Sequence, residues 1–386
     1  MNEENPTSAL SELIPLSYFK EMHNSFPVSL NNENTAWNVF KYEDVKTIFT
    51  RHDLFSSQGV ESVNDPIESS ILRQDPPKHR QLRMLVSQAF TPRIIQGLAA
   101  KIEAIAEALC DQMEVNAKVD GLYDYASPLP IIVIAEMLGI PPEDRERFKV
   151  WSDALVGNDS ASYYQCQQEM SVYFSEIADR RRLEPQDDLI SNLVRANEEG
   201  AQLSDVEVIG FCILLLVAGN ETTTNLISSA MLLFDGHADA KAQLKADSTL
   251  IPQALEEVLR YCSPVQMMIR TVTQTTVLRG QTLIPGQMVN IWIGSANHDE
   301  AIFEHPEIFN IHRNPNPHLA FGHGIHYCLG AQLARLESKI AIQTLLRRFP
   351  EFRLDHSQPL ERIDSWIMFG VKQLPIILRH EMNTNR

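Results

Sequence analysis

One cysteine in this chain lies in a segment whose residue types and spacing suit metal chemistry. Residues 321–330 read FGHGIHYCLG and place Cys328 among three glycines: Gly322, Gly324 and Gly330. Glycine removes side chains where a backbone passes close to a flat group. The apolar residues after the cysteine have helical spacing on one face: Leu329, Leu333, Leu336 and Ile340. This pattern predicts Cys328 at a helix N-terminus, where the helix dipole favours a thiolate that can bind iron.

Two other interpretations of this segment stay open at the level of sequence. A glycine-rich turn before a helix can carry an incidental cysteine. A zinc site could instead use the side chains of Cys328, His318, His323 and His326. Zinc has less support, because a structural zinc site requires neither Phe321 nor glycines at these spacings. The other cysteines lie in helical or apolar surroundings and are expected to be small buried residues: Cys110, Cys166, Cys212 and Cys262.

An acid and an alcohol interrupt the most apolar part of the chain. Residues 218–223 read AGNETT, and Glu221 and Thr222 follow the apolar run of residues 208–218. A carboxylate is costly inside an apolar helix unless it has a partner or a task. The pair is either a polar patch where the helix reaches solvent or a proton relay, in which Glu221 admits protons and Thr222 hydrogen-bonds near the reacting oxygen.

Two further pairs have helical spacing. Glu257 and Arg260 are three residues apart, so an ion pair on one helix face is expected. His79 and Arg83 are four residues apart, one helical turn, in the basic segment of residues 75–83.

The elements that must position these residues are mostly helical. Periodicity predicts helices over residues 91–114 and 128–138, and a further helix from Glu143. The Ser-x-x-Glu pattern of residues 204–207 predicts the capped start of a long helix that reaches residue 236. Strand-like patterns are fewer: residues 37–40, 271–278, 287–293 and 374–378. The expected fold is mainly α with a minor β region.

Composition excludes some classes of protein. The formal net charge of −17 over 386 residues argues against nucleic-acid binding, which needs a basic surface. The longest apolar run is 11 residues, whereas a membrane-spanning helix needs about 20. The first 20 residues do not have the pattern of a signal peptide. No linker-like composition divides the chain, so we expect one domain over residues 1–386, without a membrane anchor and cytoplasmic.

The motifs together resemble those of the cytochrome P450 family. Phe-x-x-Gly-x-x-x-Cys-x-Gly, here Phe321, Gly324, Cys328 and Gly330, is similar to the haem-binding signature of that family. The acid–alcohol pair and the Glu-x-x-Arg motif occur in the family's order. In particular, the sequence resembles soluble Bacillus-type members that hydroxylate fatty acids, terpenoids and steroids. The resemblance implies the cytochrome P450 fold, with haem between the long distal helix and the helix of the cysteine ligand.

The resemblance also implies roles for individual residues. Cys328 would bind the iron of haem b (iron protoporphyrin IX), Glu221 and Thr222 would be catalytic, and Glu257 and Arg260 would be structural. The expected cofactor-binding residues, with Cys328, are His79, Arg83, Ala218, Arg270, Phe321, Gly322, His326 and Gly330. The expected substrate-binding residues are Leu214, Val217, Ala218, Val265, Met268 and Phe369. Residues 56–72 would form a lid.

The activity implied is that of a monooxygenase. Such an enzyme inserts one oxygen atom from O₂ into a C–H bond of an apolar substrate of the fatty-acid, terpenoid or steroid type. No flavin or nicotinamide motif is evident, so electrons would come from a ferredoxin or flavodoxin with its reductase. That partner would dock on a basic proximal patch made of Lys78, Arg80, Arg93, Arg335, Arg347 and Arg348.

Two competing functions are considered with this one. A peroxygenase would take hydrogen peroxide directly, but such relatives typically replace the acid–alcohol pair that is present here. A haem sensor or carrier without catalytic activity would need no proton relay. Glu221 and Thr222 therefore favour the monooxygenase.

Overall fold

The structure is a computed structural model that describes residues 13–31, 33–58, 66–116, 118–156, 160–198 and 204–378. Residues 59–65 of the expected lid lie outside the described residues, as do the first 12 residues of the chain. In chain order the α-helices are α1 (Leu16–Ser25), α2 (Tyr42–Thr50), α3 (Lys78–Val86), α4 (Pro92–Gly97), α5 (Ala99–Val115), α6 (Pro128–Leu138), α7 (Arg145–Val156), α8 (Ser160–Leu183), α9 (Leu189–Glu198), α10 (Asp205–Gly236), α11 (Ala238–Ala246), α12 (Ile251–Tyr261), α13 (Ile293–Ala296) and α14 (Ala331–Arg348).

The strands are short and form three small sheets. Their bounds are β1 (Val28–Leu30), β2 (Ala36–Val39), β3 (Phe55–Ser56), β4 (Val119–Asp120), β5 (Met267–Val272), β6 (Thr276–Leu278), β7 (Gln281–Leu283), β8 (Met288–Trp292), β9 (Arg353–Leu354) and β10 (Pro375–Ile377). The largest sheet has the order β1-β2-β8-β5-β3, in which β2 and β8 are parallel and the other neighbours are antiparallel. The other sheets are β4-β10-β9 and the hairpin β6-β7. The mainly helical fold with a minor β region agrees with the prediction.

The long helix α10 is the centre of the fold. Ser204 caps it as predicted: its hydroxyl accepts from the Glu207 N–H, and the Glu207 carboxylate accepts from the Ser204 N–H. Among the described residues α10 alone has the length and composition to cross a membrane, but half of its most apolar window is buried inside the protein. It packs against α6, α8 and α14, so its apolar character serves the core.

Local sequence explains where other elements begin and end. Pro128 and Pro130 lie in the first turn of α6, where the backbone N–H groups have no partner within the helix, so a proline loses no hydrogen bond there. Gly139 ends the helix with a left-handed φ of 69°. A Cβ at Gly139 would lie 2.2 Å from the carboxylate of Asp188, so no larger residue fits. The expected helix over residues 91–114 is two helices, α4 and α5, because Leu98 separates them.

The hydrophobic core has two parts. The larger one surrounds α10 and takes side chains from most of the helices. The smaller one lies between the five-stranded sheet and α2, with Val39, Ile48 and Ile291 fully or almost fully buried. The loop that carries Cys328 and the helix that follows it, α14, lie between these cores, because Leu319 packs in the smaller part and Leu333 in the larger.

Candidate functional site

The loop before α14 holds Cys328 in a fixed backbone arrangement. The Cys328 N–H donates to the Phe321 carbonyl at 2.9 Å and closes the loop on itself. Gly322 and Gly324 have φ of 70° and 72°, a region that favours glycine. A Cβ at Gly324 would also lie 2.6 Å from the Phe49 carbonyl oxygen, whereas a Cβ at Gly330 would meet no protein atom within 4 Å. Gly324 is therefore explained by packing on α2, and Gly330 is not explained by protein contacts.

The environment of Cys328 contains opposing effects on its ionisation. The side chain is accessible, yet protein surrounds it closely enough that burial raises the pKa of the thiol above its ordinary value. The N–H groups of Gly330 and Ala331 at the start of α14 and the guanidinium groups of Arg83 and Arg335 act in the opposite direction. The predicted effect of the helix N-terminus is therefore present, and burial opposes it. A metal cation bound at the sulfur would favour the thiolate further.

One stretch of α10 is accessible, although the turns beyond it are buried. Ala218 is exposed, and the side chains of Leu214, Val217 and Thr222 are half-buried. By contrast, every residue of α10 from Thr223 to Phe234 is buried. The predicted distal residues therefore lie together on the part of the helix that still presents side chains to a ligand.

Hydrogen bonds fix the acid–alcohol pair. The Thr222 hydroxyl donates to the Ala218 carbonyl at 2.6 Å, which leaves its lone pairs free to accept. The Asn225 amide donates to a carboxylate oxygen of Glu221 at 3.1 Å. A Cβ on Gly370 would lie 2.3 Å from the Asn225 amide oxygen, so the turn at residue 370 must be glycine for Asn225 to sit there. Sequence analysis missed Asn225, although its position one turn after Glu221 is a signal that could have revealed it.

The four predicted basic residues, two of which are histidines, lie in one cluster. The rings of His79 and His326 have centroids 4.3 Å apart. Burial lowers the pKa of Arg270 to about 10, and burial with the positive charge of Arg270 lowers the pKa of His326 to about 3. Burial also lowers the pKa of Arg83, which forms no ion pair among the described residues. Buried cations without enough anions are costly, so this cluster suits an anionic group.

Two serines that join this cluster, Ser56 and Ser57, were not predicted as site residues. The Ser57 hydroxyl lies 3.0 Å from His326 Nε2, and the Ser57 N–H donates to the Asp75 carboxylate at 3.1 Å. The Ser56 hydroxyl donates to the same carboxylate. Asp75 is also the acid that acts on Arg270. The first residues of the expected lid are thus joined to the cationic cluster, a long-range contact that the sequence pattern does not reveal.

Glu257 and Arg260 form an ion pair in the protein interior. A Glu-x-x-Arg motif considered alone would indicate an ion pair on the surface of a helix. Both side chains have 0% exposure, and two nitrogen–oxygen contacts of 2.8 Å join them. Arg260 also donates to the carbonyls of Asn297 and Pro306, and Arg313 donates to Glu257 at 3.1 Å. This network ties α12 to the segment that leads to the cysteine loop.

Phe369 does not reach the surface where a substrate would lie. Its side chain is 1% exposed in the larger core, and the Arg362 guanidinium lies 5.4 Å from its ring centroid. Met368 instead is half-buried and pairs with Val265 in an isolated bridge. Side chains alternate along extended backbone, so the prediction chose the residue that points inward. Val265 and Met268 are half-buried, as a lining position requires.

The predicted basic patch is largely neutralised. Lys78 pairs with Glu207, and Arg335 pairs with Glu256. Arg347 and Arg348 pair with acidic residues of α5: Glu107, Asp111 and Glu114. Only Arg80 and Arg93 of the six are exposed without an ion pair among the described residues. Acidic partners therefore neutralise four of the six cations of the predicted patch.

The zinc interpretation finds no geometric support. Within the described part of the chain no three side chains of His, Cys, Asp or Glu converge on a point that could hold a metal. His318 bonds to Glu256, and His326 bonds to Ser57. The histidines near Cys328 therefore face different partners.

Comparison with known proteins agrees with the site geometry. The family model for cytochrome P450 matches residues 147–380. Cytochrome P450 109 from Bacillus spizizenii is 41% identical over 382 residues, which are 96% of this chain and 93% of that protein. The chain belongs to the cytochrome P450 family.

Solved structures of cytochromes P450 share the whole fold. The crystal structure of CYP109E1 from Bacillus megaterium in complex with testosterone has a TM-score of 0.92 and 40% identity, covering 96% of this chain and 100% of that one. The cytochrome P450 PksS of the bacillaene polyketide synthase from Bacillus subtilis has a TM-score of 0.90 and 39% identity, covering 98% and 100%. The chain is thus a cytochrome P450 monooxygenase, of a family that requires haem, O₂ and redox partners.

The residues present fit a haem. His79 is 3% exposed, and its Nε2 has no hydrogen-bond partner among the described residues, although a buried nitrogen normally has one. Together with Arg83, Arg270 and His326 it offers donors for two carboxylates, as the haem propionates are. Gly330 offers open space beside Cys328, the single thiol of this loop. The donor set of one thiolate and a separate cationic cluster suits a haem and does not suit a four-ligand metal site.

Proposed function

We propose that this cytochrome P450 uses haem b to insert one oxygen atom from O₂ into a C–H bond of an apolar substrate. The observation that carries this proposal is the acid–alcohol pair, Glu221 and Thr222, on the accessible stretch of an otherwise buried helix. A sensor or carrier has no use for this costly arrangement. When bound through Cys328, the haem supplies the oxidative chemistry, and the protein supplies orientation and protons.

Glu221 and Thr222 would handle the protons. Asn225 holds the Glu221 carboxylate in one orientation, from which it can exchange protons with solvent that reaches the half-buried side of the helix. The Thr222 hydroxyl donates to the Ala218 carbonyl and so presents lone pairs that accept a hydrogen bond from a group at the site. Successive side chains of a helix do not face each other, so a proton would pass between acid and alcohol through solvent at the half-buried side of α10.

The remaining site residues would orient the haem. His79, Arg83, Arg270 and His326 would bind the propionates, because they form the basic cluster described above. Phe321 and Gly322 would shape the cysteine loop, and Gly330 and Ala218 would leave room on the two sides of the ring. Glu257 and Arg260 would keep this arrangement rigid from inside the fold.

The substrate would be an apolar molecule of the steroid, terpenoid or fatty-acid type. The accessible residues proposed to line the site are aliphatic or thioether side chains: Leu214, Val217, Ala218, Val265 and Met268. Such a lining recognises shape and apolar area, and Met268 can adapt to different shapes. The complex of the Bacillus megaterium relative with testosterone supports a steroid, and the Bacillus subtilis relative PksS belongs to a bacillaene polyketide synthase.

The electron donor would be a separate ferredoxin or flavodoxin with its reductase, in the cytoplasm. Arg80 and Arg93, on α3 and α4, are the exposed cations left to attract an acidic partner. The packing of α10 in the core supports a soluble protein. We also propose that residues 1–386 form one domain, because the relatives are matched over nearly their full lengths.

The test is turnover of the haem-loaded protein with a surrogate ferredoxin, its reductase and ¹⁸O₂. Testosterone and a long-chain fatty acid would be supplied as probes. The proposal expects a hydroxylated product that carries one ¹⁸O atom. Product formed with hydrogen peroxide but not with O₂ and reductant would support the peroxygenase instead. Reductant consumption at background with every probe would support the sensor.

A further inference from the structure

An ion pair joins the helix after Cys328 to the helix of the Glu-x-x-Arg motif. Glu256 lies on α12, beside Glu257, and Arg335 lies on α14, seven residues after Cys328. The guanidinium Nε and Nη2 donate to the two carboxylate oxygens of Glu256 at 2.7 and 2.8 Å. Both side chains are about one-third exposed, so this pair is distinct from the fully buried Glu257–Arg260 network. Nothing in the proposed function uses it.

A buried histidine completes the Glu256 site. His318 Nε2 lies 3.0 Å from Glu256 Oε2, the oxygen that also accepts from Arg335 Nη2, and the Ala320 N–H donates to His318 Nδ1 at 3.3 Å. Because Nδ1 accepts a hydrogen bond, the donor toward Glu256 is Nε2. Burial would raise the pKa of Glu256, but the hydrogen bonds from Arg335 and His318 lower it to about 2. Glu256 is therefore an anion that faces one permanent cation.

Arg335 in turn contacts the cysteine loop at two points. Its guanidinium carbon lies 4.4 Å from the ring centroid of Phe321, within the range of a cation–π contact. Its Nη1 lies 3.3 Å from the hydroxyl of Tyr327, the residue before Cys328. The Phe321 carbonyl accepts the hydrogen bond of the Cys328 N–H. The guanidinium thus fixes both residues that determine where the sulfur lies.

The charge of Arg335 is held against the loop that carries the sulfur. Its guanidinium contacts the Phe321 ring and the Tyr327 hydroxyl, so a permanent cation stays beside the Cys328 loop. Arg83, by contrast, belongs to the cationic cluster proposed to bind the propionates, where the anions would offset its charge. Arg335 is held by the single carboxylate of Glu256. A change at either member of the pair therefore changes the net charge near the thiolate by one unit, with opposite signs.

We propose that Arg335, oriented by Glu256 and His318, is a positioning residue that sets the charge environment of the Cys328 thiolate and thereby the reduction potential of the haem iron. Glu256 limits this effect, because its negative charge partly cancels that of Arg335. The inference rests on the proposed haem-thiolate function. It assigns to Glu256, His318 and Arg335 a task beyond joining two helices.

The alternative is a structural link between α12 and α14 without electronic effect, and charge substitutions separate the two. Arg335→Gln removes the cation and leaves Glu256, so the electron-rich reduced iron is disfavoured. Glu256→Gln removes the anion and leaves Arg335, so the reduced iron is favoured. At a fixed applied potential we expect the reduced-to-oxidised ratio to fall on the order of tenfold in the first variant and to rise in the second, where tenfold corresponds to about 59 mV.

Two further variants keep the test decisive if Arg335→Gln does not fold. Arg335→Lys keeps the positive charge but loses the two parallel hydrogen bonds that the guanidinium makes to Glu256. The double variant Glu256→Gln with Arg335→Gln removes both charges and so restores the net charge of the unsubstituted protein. Both should have reduction potentials close to that of the unsubstituted protein. Lys372→Gln, in an exposed pair with Glu361, is the matched control and should change nothing.

The measurement is a spectroelectrochemical titration of the haem-loaded proteins, with the carbon-monoxide difference spectrum recorded for each. Shifts of the same sign in both single variants, or potentials unchanged in Glu256→Gln, would overturn the inference and leave a structural link. Failure of the proposed function looks different, because the unsubstituted protein would then lack the red-shifted carbon-monoxide band of thiolate ligation. The two failures are therefore distinguishable.

Discussion

At the scale of single residues, the Thr222 hydroxyl can be removed with little change to the fold. The hydroxyl donates to the Ala218 carbonyl of its own helix, and the side chain is half-buried. We expect Thr222→Ala to keep reductant consumption but to lower the fraction of reductant converted to product at least several-fold, since proton delivery loses its acceptor. The ratio of product formed to reductant oxidised measures this effect. Thr222→Ser, which keeps the hydroxyl, should retain most of the coupling, and equal coupling in all three proteins would contradict the relay.

At the scale of single residues, most of the candidate site was predicted from residue types and their spacing. A cysteine among glycines and an acid–alcohol pair in an apolar helix each suggest a chemistry, whereas the role of the paired basic residues came from the resemblance to the cytochrome P450 family. The failure at Phe369 has a physical cause: the residue was assigned to the lining, although its side chain points into the core. Neither burial nor side-chain direction in a loop can be read from one sequence.

At the scale of elements, close backbone approach makes one glycine of α10 irreplaceable. A Cβ on Gly210 would lie 2.1 Å from the Pro66 carbonyl oxygen, and backbone cannot rotate away as a side chain can. We expect Gly210→Ala to destabilise the protein by about 1–3 kcal/mol and to displace the segment around residue 66. Thermal unfolding and proteolysis of that segment are the measurements.

Gly97 at the end of α4 is the matched control. A Cβ there meets no protein atom within 4 Å, so Gly97→Ala should leave the unfolding temperature unchanged or slightly higher. A similar loss of stability in both variants would show that the approach of residue 66 to α10 is not the cause.

The helices were better predicted than the sheets. Periodicity and caps are local, so the capping box at Ser204 and the bounds of α6 follow from the sequence. The strand β2 pairs in parallel with β8, which lies about 250 residues later. No local pattern specifies such a partner, and very short strands such as β3 and β9 have almost no pattern of their own.

At the scale of the whole molecule, a buried acid links the two central helices and makes stability depend on pH. Glu337 on α14 is 1% exposed and faces Thr223 of α10, its Oε1 has no hydrogen-bond partner among the described residues, and burial raises its pKa to about 8. Its folded pKa lies above the ordinary value, so the unfolded chain releases this proton more readily. Stability is therefore lost as pH rises from about 4.5 to about 8.

Glu337→Gln removes this dependence. The amide stays neutral at every pH, so we expect the variant to be more stable than the unsubstituted protein at pH 8 by an amount on the order of a few kcal/mol, and nearly equal at pH 5. Thermal unfolding of the haem-loaded proteins at both pH values checks this. An equal difference at the two pH values would contradict a buried neutral acid.

The interior pair Glu257–Arg260 is the other global link. Removing one partner leaves a charge with 0% exposure, so Arg260→Met should cost about 3–5 kcal/mol and prevent stable haem binding. Glu361→Gln, in the exposed pair with Lys372, should have no measurable effect. Haem content after purification and the unfolding temperature are the measurements, and normal haem content in Arg260→Met would contradict the structural role.

The Glu257–Arg260 pair could be predicted from the sequence, but only the fold shows that Arg313 also binds the Glu257 carboxylate.

The central claim, that Cys328 binds haem iron as a thiolate, is tested most directly by the carbon-monoxide difference spectrum of the dithionite-reduced, haem-loaded protein. Cys328→Ser, prepared in the same way, is the comparison. The account predicts a strongly red-shifted Soret band that disappears in the variant. A histidine-like band that is the same in both proteins, or no uptake of haem by the unsubstituted protein, would contradict it.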